Sequence, residues 1–245
     1  VEKPATVNFS EMQIIEEKLK KGNIFFAEAF MYRYHPQIIK LVDLIKDGTI
    51  GKLISMESFF GNDILSKKIF GIKFKKKIKQ NSRLHNKELG GGAILDLGCY
   101  PVSISILVAS LTSNLDISKT KVLNKKVEIG STGVDINAFA ELHFENGFKS
   151  TIHTSFKENL GKSTKIIGTD GELVLKDGWH GTPSLINITG KINRSIQVEC
   201  NENVYTYQIK AVTKNILENK KKPSFPGVTS SESLENMRIL DNWLN

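Results

Sequence analysis

Leu89-Gly90-Gly91-Gly92-Ala93-Ile94-Leu95-Asp96-Leu97-Gly98-Cys99-Tyr100-Pro101 is the stretch on which the reading of this chain turns. Three glycines run into an apolar segment that continues to about Leu111 and reads as a helix. Pro101 predicts a bend in it near Cys99, because an internal proline costs about 3 kcal/mol or more and usually kinks a helix. Asp96 and Tyr100 are four apart, so on a helix they share one face. Such a pair is either a buried structural contact or a proton-handling pair. The second role needs a cation, since moving a phenol from its reference pKa of about 10 to near 7 takes roughly 4 kcal/mol of preferential stabilisation of the phenolate. Lys3 is the candidate cation. The glycines do not follow a strand in Gly-x-Gly-x-x-Gly spacing, so they are not read as a dinucleotide site.

On the C-terminal side the pattern changes to strands from Val127 to Trp179. Asn137 to Phe144 alternates, Glu145-Asn146-Gly147 makes a turn, and Phe148 to Phe156 returns. Thr169-Asp170-Gly171 marks a second hairpin between Lys165–Gly168 and Glu172–Lys176, and 184–188 and 195–199 give two further strands. Two helices follow, over 205–219 and from Val228 or Thr229 to Leu244. On the N-terminal side, Asn8 or Ser10 caps a helix that stops at Gly22. The apolar run from Ile24 to Met31 reads as a buried strand. Pro36 suits the first turn of a helix reaching Gly48, and Leu53 to Phe60 alternates as a strand. Helix, tight turn and buried strand over residues 1–31 resemble the closing αβ unit of a parallel sheet.

The chain has 245 residues, 40% of them hydrophobic and 24% charged, the composition of an ordinary globular protein with a sizeable core. Its longest apolar stretch, around Ile104 to Leu111, is interrupted by serines and falls short of the roughly 20 residues of a membrane span. No signal peptide is read, and a reducing cytoplasm is expected because Cys99 and Cys200 are too few for a disulfide framework. The net charge of +8 is concentrated in nine basic residues between Ile64 and Lys87, including Lys67, Lys73, Lys77, Lys79 and Arg83, with no acidic residue among them. Only Phe70 and Phe74 are interleaved, so the run is read as a solvated loop that attracts an anionic substrate or cofactor, and no nucleic-acid partner is expected. The histidines show no ligand spacing, and no metal is assigned. Arg33 and His35 are candidates for the cleft, with a contact at the start of the following helix as the other reading of His35. Trp179 and His180 either edge the site or pack in the core.

The chain resembles the Gfo/Idh/MocA oxidoreductases, and within them the dihydrodiol and xylose dehydrogenase branch. Four stretches carry the resemblance: Val1-Glu2-Lys3-Pro4; Glu28-Ala29-Phe30-Met31-Tyr32-Arg33-Tyr34-His35-Pro36; Leu89 to Pro101; and Glu235-Asn236-Met237-Arg238-Ile239-Leu240-Asp241. The resemblance implies an α+β fold, with an open, predominantly antiparallel sheet and helices on one face. A remnant of a Rossmann nucleotide-binding domain (residues 1–31) precedes it, and residues 32–245 form the substrate-binding and oligomerisation domain. It implies hydride transfer between NAD or NADP and a hydroxyl carbon of a sugar, polyol or dihydrodiol. Glu2, Lys3 and Pro4 then lie against the cofactor, Lys3 assists the acid/base, Tyr100 is the general acid/base, and Asp96 orients substrate or tyrosine; Arg33, Asp96 and Tyr100 line the substrate.

The family's phosphate-binding glycine turn and acidic ribose partner are expected before Val1. The chain is therefore read as a fragment of a dehydrogenase that is inactive alone, with a cofactor-less binding or assembly module as the alternative. A homo-oligomer through the open sheet face is expected, and residues 1 to about 31 are expected to be poorly ordered, rearranged or docked on another chain. Neither substrate identity nor NAD versus NADP is legible.

Overall fold

The computed structural model describes residues 1–76, 82–112 and 115–245, so Lys77 and Lys79 of the basic run lie outside the described residues. The first helix, α1 (Phe9–Gly22), starts where the sequence places it: the Asn8 side chain accepts the Glu11 N–H, and Asn23 ends the helix at φ 48°. Residues 24–30 form no strand. A strand needs a paired neighbour, and the described pairing here is with Val1, through Val1 N to Ala27 O at 3.0 Å and Ala29 N to Val1 O at 2.9 Å. The apolar run leads into a 3-10 turn, Met31–Tyr34, and then α2 (Pro36–Lys46).

Among the described residues, ten strands follow or flank the remaining helices. They are β1 (Leu53–Gly61), β2 (Ser66–Ile69), β3 (Ile72–Lys75), β4 (Lys121–Ile129), β5 (Asp135–His143), β6 (Lys149–Ser155), β7 (Thr164–Gly168), β8 (Gly171–Leu175), β9 (Leu185–Gly190) and β10 (Arg194–Gln197). Eight form one sheet in the order β10-β9-β8-β7-β1-β6-β5-β4. Every neighbouring pair is antiparallel except β1 with β6, which run parallel in the middle of the sheet. The remaining two strands make a separate hairpin, β2–β3, inside the stretch read from sequence as a loop. All four residues of β3 are exposed, and the hairpin is held by its backbone pairing, from Ser66 with Lys75 to Ile69 with Ile72.

One sheet face is covered by α3 (Cys99–Ala109), which follows a π turn (Ile94–Gly98), and by α5 (Ser230–Leu244); α4 (Val204–Leu217) packs near the Met31–Tyr34 turn. Met56, Ser58 and Phe60 of β1, Ala138, Ala140 and Leu142 of β5, and Ile152 of β6 point into this layer and are buried. All of α3 is buried, which explains its unbroken apolarity. The segment Lys87–Ala109 is long and apolar enough to cross a membrane by those criteria alone, but its apolar surface is covered by the sheet and α5. The expectation that residues 1 to about 31 are poorly ordered, rearranged or docked on another chain is corrected for the helix: α1 docks on this chain's own α5, burying Met12 and donating Phe9 N–H to Asp241 Oδ2 at 2.7 Å. Ile14 and Ile24 remain exposed on its outer side.

Candidate active site

The turn before the helix sets the site. Gly92 stands at φ 115°, and a Cβ there would overlap the Asp135 carboxylate. That carboxylate, brought from β5, accepts the Ile94 N–H at 2.7 Å and so satisfies a free donor at the helix start. Burial pushes the Asp135 carboxyl up to about 6 against these backbone hydrogen bonds. The bend expected near Cys99 is the π turn over Ile94–Gly98. Pro101 has no N–H for the carbonyl one turn back, and the widened turn just before it absorbs that mismatch.

Lys3, Asp96 and Tyr100 come together. The Lys3 ammonium donates to the Asp96 main-chain carbonyl, stands 3.6 Å from Asp96 Oδ1, and lies 4.8 Å from the centroid of the Tyr100 ring. Arg83 completes the cluster by donating from Nη2 to Asp96 Oδ1 at 2.8 Å. With its side chain 59% exposed, Arg83 adds little stability through that pair; its consequence is to fix the carboxylate. Tyr100 and Asp96 do not meet through the phenol. The hydroxyl donates to Met31 Sδ at 3.5 Å, and the ring is enclosed by Phe30, Phe60, Tyr32 and Trp179 at 5.3–5.8 Å between centroids. Burial, with the charges of Cys99 and Tyr205 next, pushes the phenol up from its ordinary value. The sequence reading wanted a cation to bring it down; the cation is present over the ring, and desolvation outweighs it.

Beside this cluster is a cleft of about 360 Å³, lined by Glu2, Lys3, Pro4 and Thr6 on one side and by Arg83, Gly90, Leu95 and Asp96 on the other. Glu28 holds the chain that forms its first wall. It is buried, accepts the Ala5 N–H at 2.9 Å and the Ser233 hydroxyl, and is pushed up to about 7 by burial, against those hydrogen bonds and the nearby Arg33.

Arg33 does not line the cleft, which corrects its assignment as a substrate contact. Its guanidinium is buried and donates to Tyr32 Oη at 3.1 Å, to the Ser103 carbonyl at 2.8 Å and to the Pro226 carbonyl at 3.0 Å, with Glu232 at 3.5 Å. A planar five-donor fork tying the 3-10 turn to α3 and the 223–229 segment is a structural clamp. His35 caps α2, accepting the Gln37 N–H on Nδ1 at 3.2 Å. Trp179 is fully buried behind Tyr100. Among the described residues no group of three or more His, Cys, Asp or Glu side chains could hold a metal ion. Sequence reading missed Arg83, Met31, Glu28 and Asp135. Arg83 stood in a run of basic residues, and nothing in the run distinguished the one that folds back.

Residues 38–174, more than half of the chain, match the family described as GFO/IDH/MocA C-terminal domain. The chain is 26% identical over 187 residues to the trans-1,2-dihydrobenzene-1,2-diol dehydrogenase of Xenopus tropicalis, covering 76% of this chain and 51% of that one. It is 23% identical over 183 residues to the D-xylose 1-dehydrogenase (NADP(+)) 2 of Haloferax volcanii, covering 75% and 50%. Among solved structures, the 3-ketoreductase KijD10 from Actinomadura kijaniata, in complex with NADP and TDP-benzene, superposes with a TM-score of 0.76 at 17% identity over 98% of this chain and 68% of that one. That last likeness shows the fold. The chain spans about half the length of the curated relatives it matches.

Proposed function

The chain belongs to the GFO/IDH/MocA family, and from that membership we propose that it carries the substrate-side half of an NAD(P)-dependent oxidoreductase acting on a hydroxyl carbon of a sugar, polyol or dihydrodiol, in the cytoplasm. Within the proposal, residues 1–31 belong with the nucleotide-binding part and 32–245 form the substrate and assembly domain, with a homo-oligomer formed through the open sheet face. The observation that carries it is the convergence of Lys3, Asp96 and Tyr100: Lys3 and Asp96 line the cleft, and the Lys3 ammonium lies over the ring of the buried Tyr100.

The cleft suits a nicotinamide. Leu95 and Pro4 supply apolar wall for a flat ring, and the Lys3 and Arg83 cations with the Asp96 carboxylate supply partners for its amide. When bound, that group supplies or takes the hydride. The protein handles the proton. Its buried phenol is held protonated, so Tyr100 is set to give its proton to a substrate carbonyl oxygen as the carbon gains hydride. In the oxidative direction Tyr100 first loses its own proton, against the burial that raises its pKa, and the phenolate then takes the hydroxyl proton. The Lys3 ammonium over the ring stabilises the phenolate in both directions. Asp96 holds that ammonium in place through its carbonyl and its carboxylate.

The test joins these residues to a nucleotide-binding domain of the family and follows NADH and NADPH fluorescence and substrate-dependent nicotinamide reduction. Binding and turnover are expected there, and no nicotinamide signal from the 245 residues alone. Absence of both in the joined protein would favour a cofactor-less binding module.

A further inference from the structure

Two cations meet one carboxylate oxygen at the cleft, and they do not share it equally. Arg83 Nη2 donates to Asp96 Oδ1 at 2.8 Å, whereas Lys3 Nζ stands 3.6 Å from the same atom, outside hydrogen-bond distance. Lys3 donates instead to the Asp96 main-chain carbonyl and lies over the Tyr100 ring, 4.8 Å from its centroid. A main-chain carbonyl is neutral, so that hydrogen bond leaves the lysine's charge uncancelled. Two positive charges against one negative leave one in excess beside the tyrosine, and the pairing distances give that excess to Lys3.

The main chain seats Arg83 where it can do this. Arg83 opens a 3-10 turn, Arg83–His85, that is tied to the glycine run by backbone hydrogen bonds. The Gly91 N–H donates to the Asn86 carbonyl at 2.9 Å and the Gly92 N–H to the Leu84 carbonyl at 3.0 Å. Gly91 admits so close an approach because it has no side chain: a Cβ there would stand 2.7 Å from the Arg83 and Asn86 carbonyl oxygens. His85 anchors the turn from inside, buried with its ring 6.2 Å from that of Phe156. The side chain that this turn directs to the cleft is a guanidinium whose exposed ion pair adds little stability. Its effect is on the carboxylate it holds.

The charge left on Lys3 counters the rest of the site. Burial first, then Cys99, Tyr205, Asp96 and Tyr32, oppose ionisation of Tyr100, while an ammonium over the ring favours the phenolate. Without Arg83, the nearest cation to the Asp96 carboxylate among the described residues is Lys3. A charge-assisted hydrogen bond to a carboxylate is stronger than a cation's contact with a ring. Lys3 then closes on Oδ1, and the two charges cancel each other at the phenol.

We propose that Arg83 is a positioning residue: by taking Oδ1 of Asp96 it keeps the Lys3 ammonium on the Tyr100 ring, with its charge available to the phenolate. The part this plays in turnover rests on the oxidoreductase reading, and the hold on Lys3 does not, so the two are measured separately. The hold is read by NMR on the 245-residue chain labelled with carbon-13 lysine. The Lys3 methylene beside the ammonium, identified by its loss in Lys3→Met, is expected to carry an upfield ring shift. Arg83→Met is expected to fold with Tm near that of the parent and to lose about half of that shift or more. Arg83→Lys keeps a cation for Oδ1 and should retain it. With Asp96→Asn already in place there is no carboxylate to compete for Lys3, and Arg83→Met should leave the signal where it is. A parent Lys3 signal without a ring shift, or a shift unchanged by Arg83→Met, overturns the proposal.

In the enzyme joined to a nucleotide-binding domain, the pH profile of oxidative kcat supplies the second readout. Its rising limb is expected to move up by about half a unit to one unit in Arg83→Met, to stay near the parent in Arg83→Lys, and not to move with Arg83→Met in the Asp96→Asn background. An equal displacement in that background would mean that the Arg83 charge acts on the phenol directly, which also overturns the proposal. A ring-shifted Lys3 that depends on Arg83, without Tyr100-dependent turnover, would remove the oxidoreductase reading and leave the hold on Lys3. Tyr100-dependent turnover with a Lys3 signal indifferent to Arg83 would remove Arg83 alone.

Discussion

The Lys3 ammonium stands over the face of the Tyr100 ring, 4.8 Å from its centroid, while the Tyr100 hydroxyl points to Met31 Sδ at 3.5 Å. The Lys3 cation therefore faces the Tyr100 ring, while the proton sits at the hydroxyl end of that tyrosine. Tyr100→Phe removes the proton and little else, since a hydroxyl bonded only to a thioether contributes weakly to stability. In the enzyme joined to a nucleotide-binding domain, kcat is expected to fall on the order of a hundredfold or more with Tm nearly unchanged. Lys3→Met should lower kcat as well, with a smaller effect on substrate KM. Turnover near that of the parent in Tyr100→Phe would take the phenol out of the mechanism.

Asp135 and Gly92 position the helix that carries Asp96 and Tyr100. Gly92→Ala puts a methyl group into the Asp135 carboxylate and forces a side chain into φ 115°, a conformation that L residues rarely adopt. The expected loss is about 2 kcal/mol or more in urea unfolding. Asp135→Asn keeps an oxygen for the Ile94 N–H and should lose less, and Asp135→Ala more, because the donor is left unmet. Equal losses for Asn and Ala would show that the cap is not what holds the helix.

Much of this was legible because its causes are local. Glu145-Asn146-Gly147 and Thr169-Asp170-Gly171 mark their own hairpins, and Asn8 and Thr229 mark helix starts. The Asp96/Tyr100 spacing and its Lys3 partner were visible through motif. What was not legible depends on distant pairing. The parallel join of β1 to β6 matches Ser55 with Lys149, and no local pattern announces it. Ile24 to Met31 is apolar whether it pairs as a strand or packs as coil, and only the absence of a flanking strand among the described residues decides. Arg33 drew attention as a charge near the cleft, yet Ser103 and Pro226, which bind it, lie 70 and 193 residues away.

Those buried contacts predict that Arg33 is a stability residue. Arg33→Met leaves the Ser103 and Pro226 carbonyls without their donor, and Arg33→Lys cannot span both with one ammonium. Both are expected to destabilise, the first by about 3 kcal/mol or more, read by thermal and urea unfolding. Substrate KM in whatever protein folds should stay close to that of the parent. A large KM increase at unchanged Tm would return Arg33 to the cleft.

Glu28 gives the fold a pH dependence. Its carboxyl has an ordinary value of 4.5 and is raised to about 7 in the folded protein. The folded state therefore binds the proton more tightly than the unfolded chain. Its stabilisation is fully present below about pH 4.5 and is lost as pH rises through about 7, on the order of 3 kcal/mol in all. Asp135, raised from 3.8 to about 6, acts in the same direction over a lower window. Glu28→Gln mimics the neutral form and keeps an acceptor for Ala5 N–H. Between about pH 5 and pH 8 the parent should lose Tm relative to this variant; parallel curves would mean that Glu28 titrates at its ordinary value.

The sheet face opposite the helices predicts how copies associate. Phe59 of β1, His153 of β6 and Phe139 of β5 sit side by side in register, with ring centroids 6.1 Å apart at each step, and are only half-buried in the single chain. Ile167 and Val174 stand on the same face of β7 and β8, separated from this row by the Lys165–Glu172 ion pair. Burial lowers the His153 pKa against the charge of Glu158, and Nε2 is 2.9 Å from Asn137 Oδ1, so the ring is neutral at pH 7 and compatible with a covered face. If a second copy covers it, protonation places a charge in an apolar contact, and association weakens as pH falls below the histidine's depressed value. Phe139→Glu places a charge there at any neutral pH without touching the helix-side core. Sedimentation velocity should show the parent as an oligomer at pH 7, dissociating toward about pH 5, and Phe139→Glu as a folded monomer. A parent that sediments as a monomer at micromolar concentration, or a variant that sediments with the parent, would place the assembly surface elsewhere.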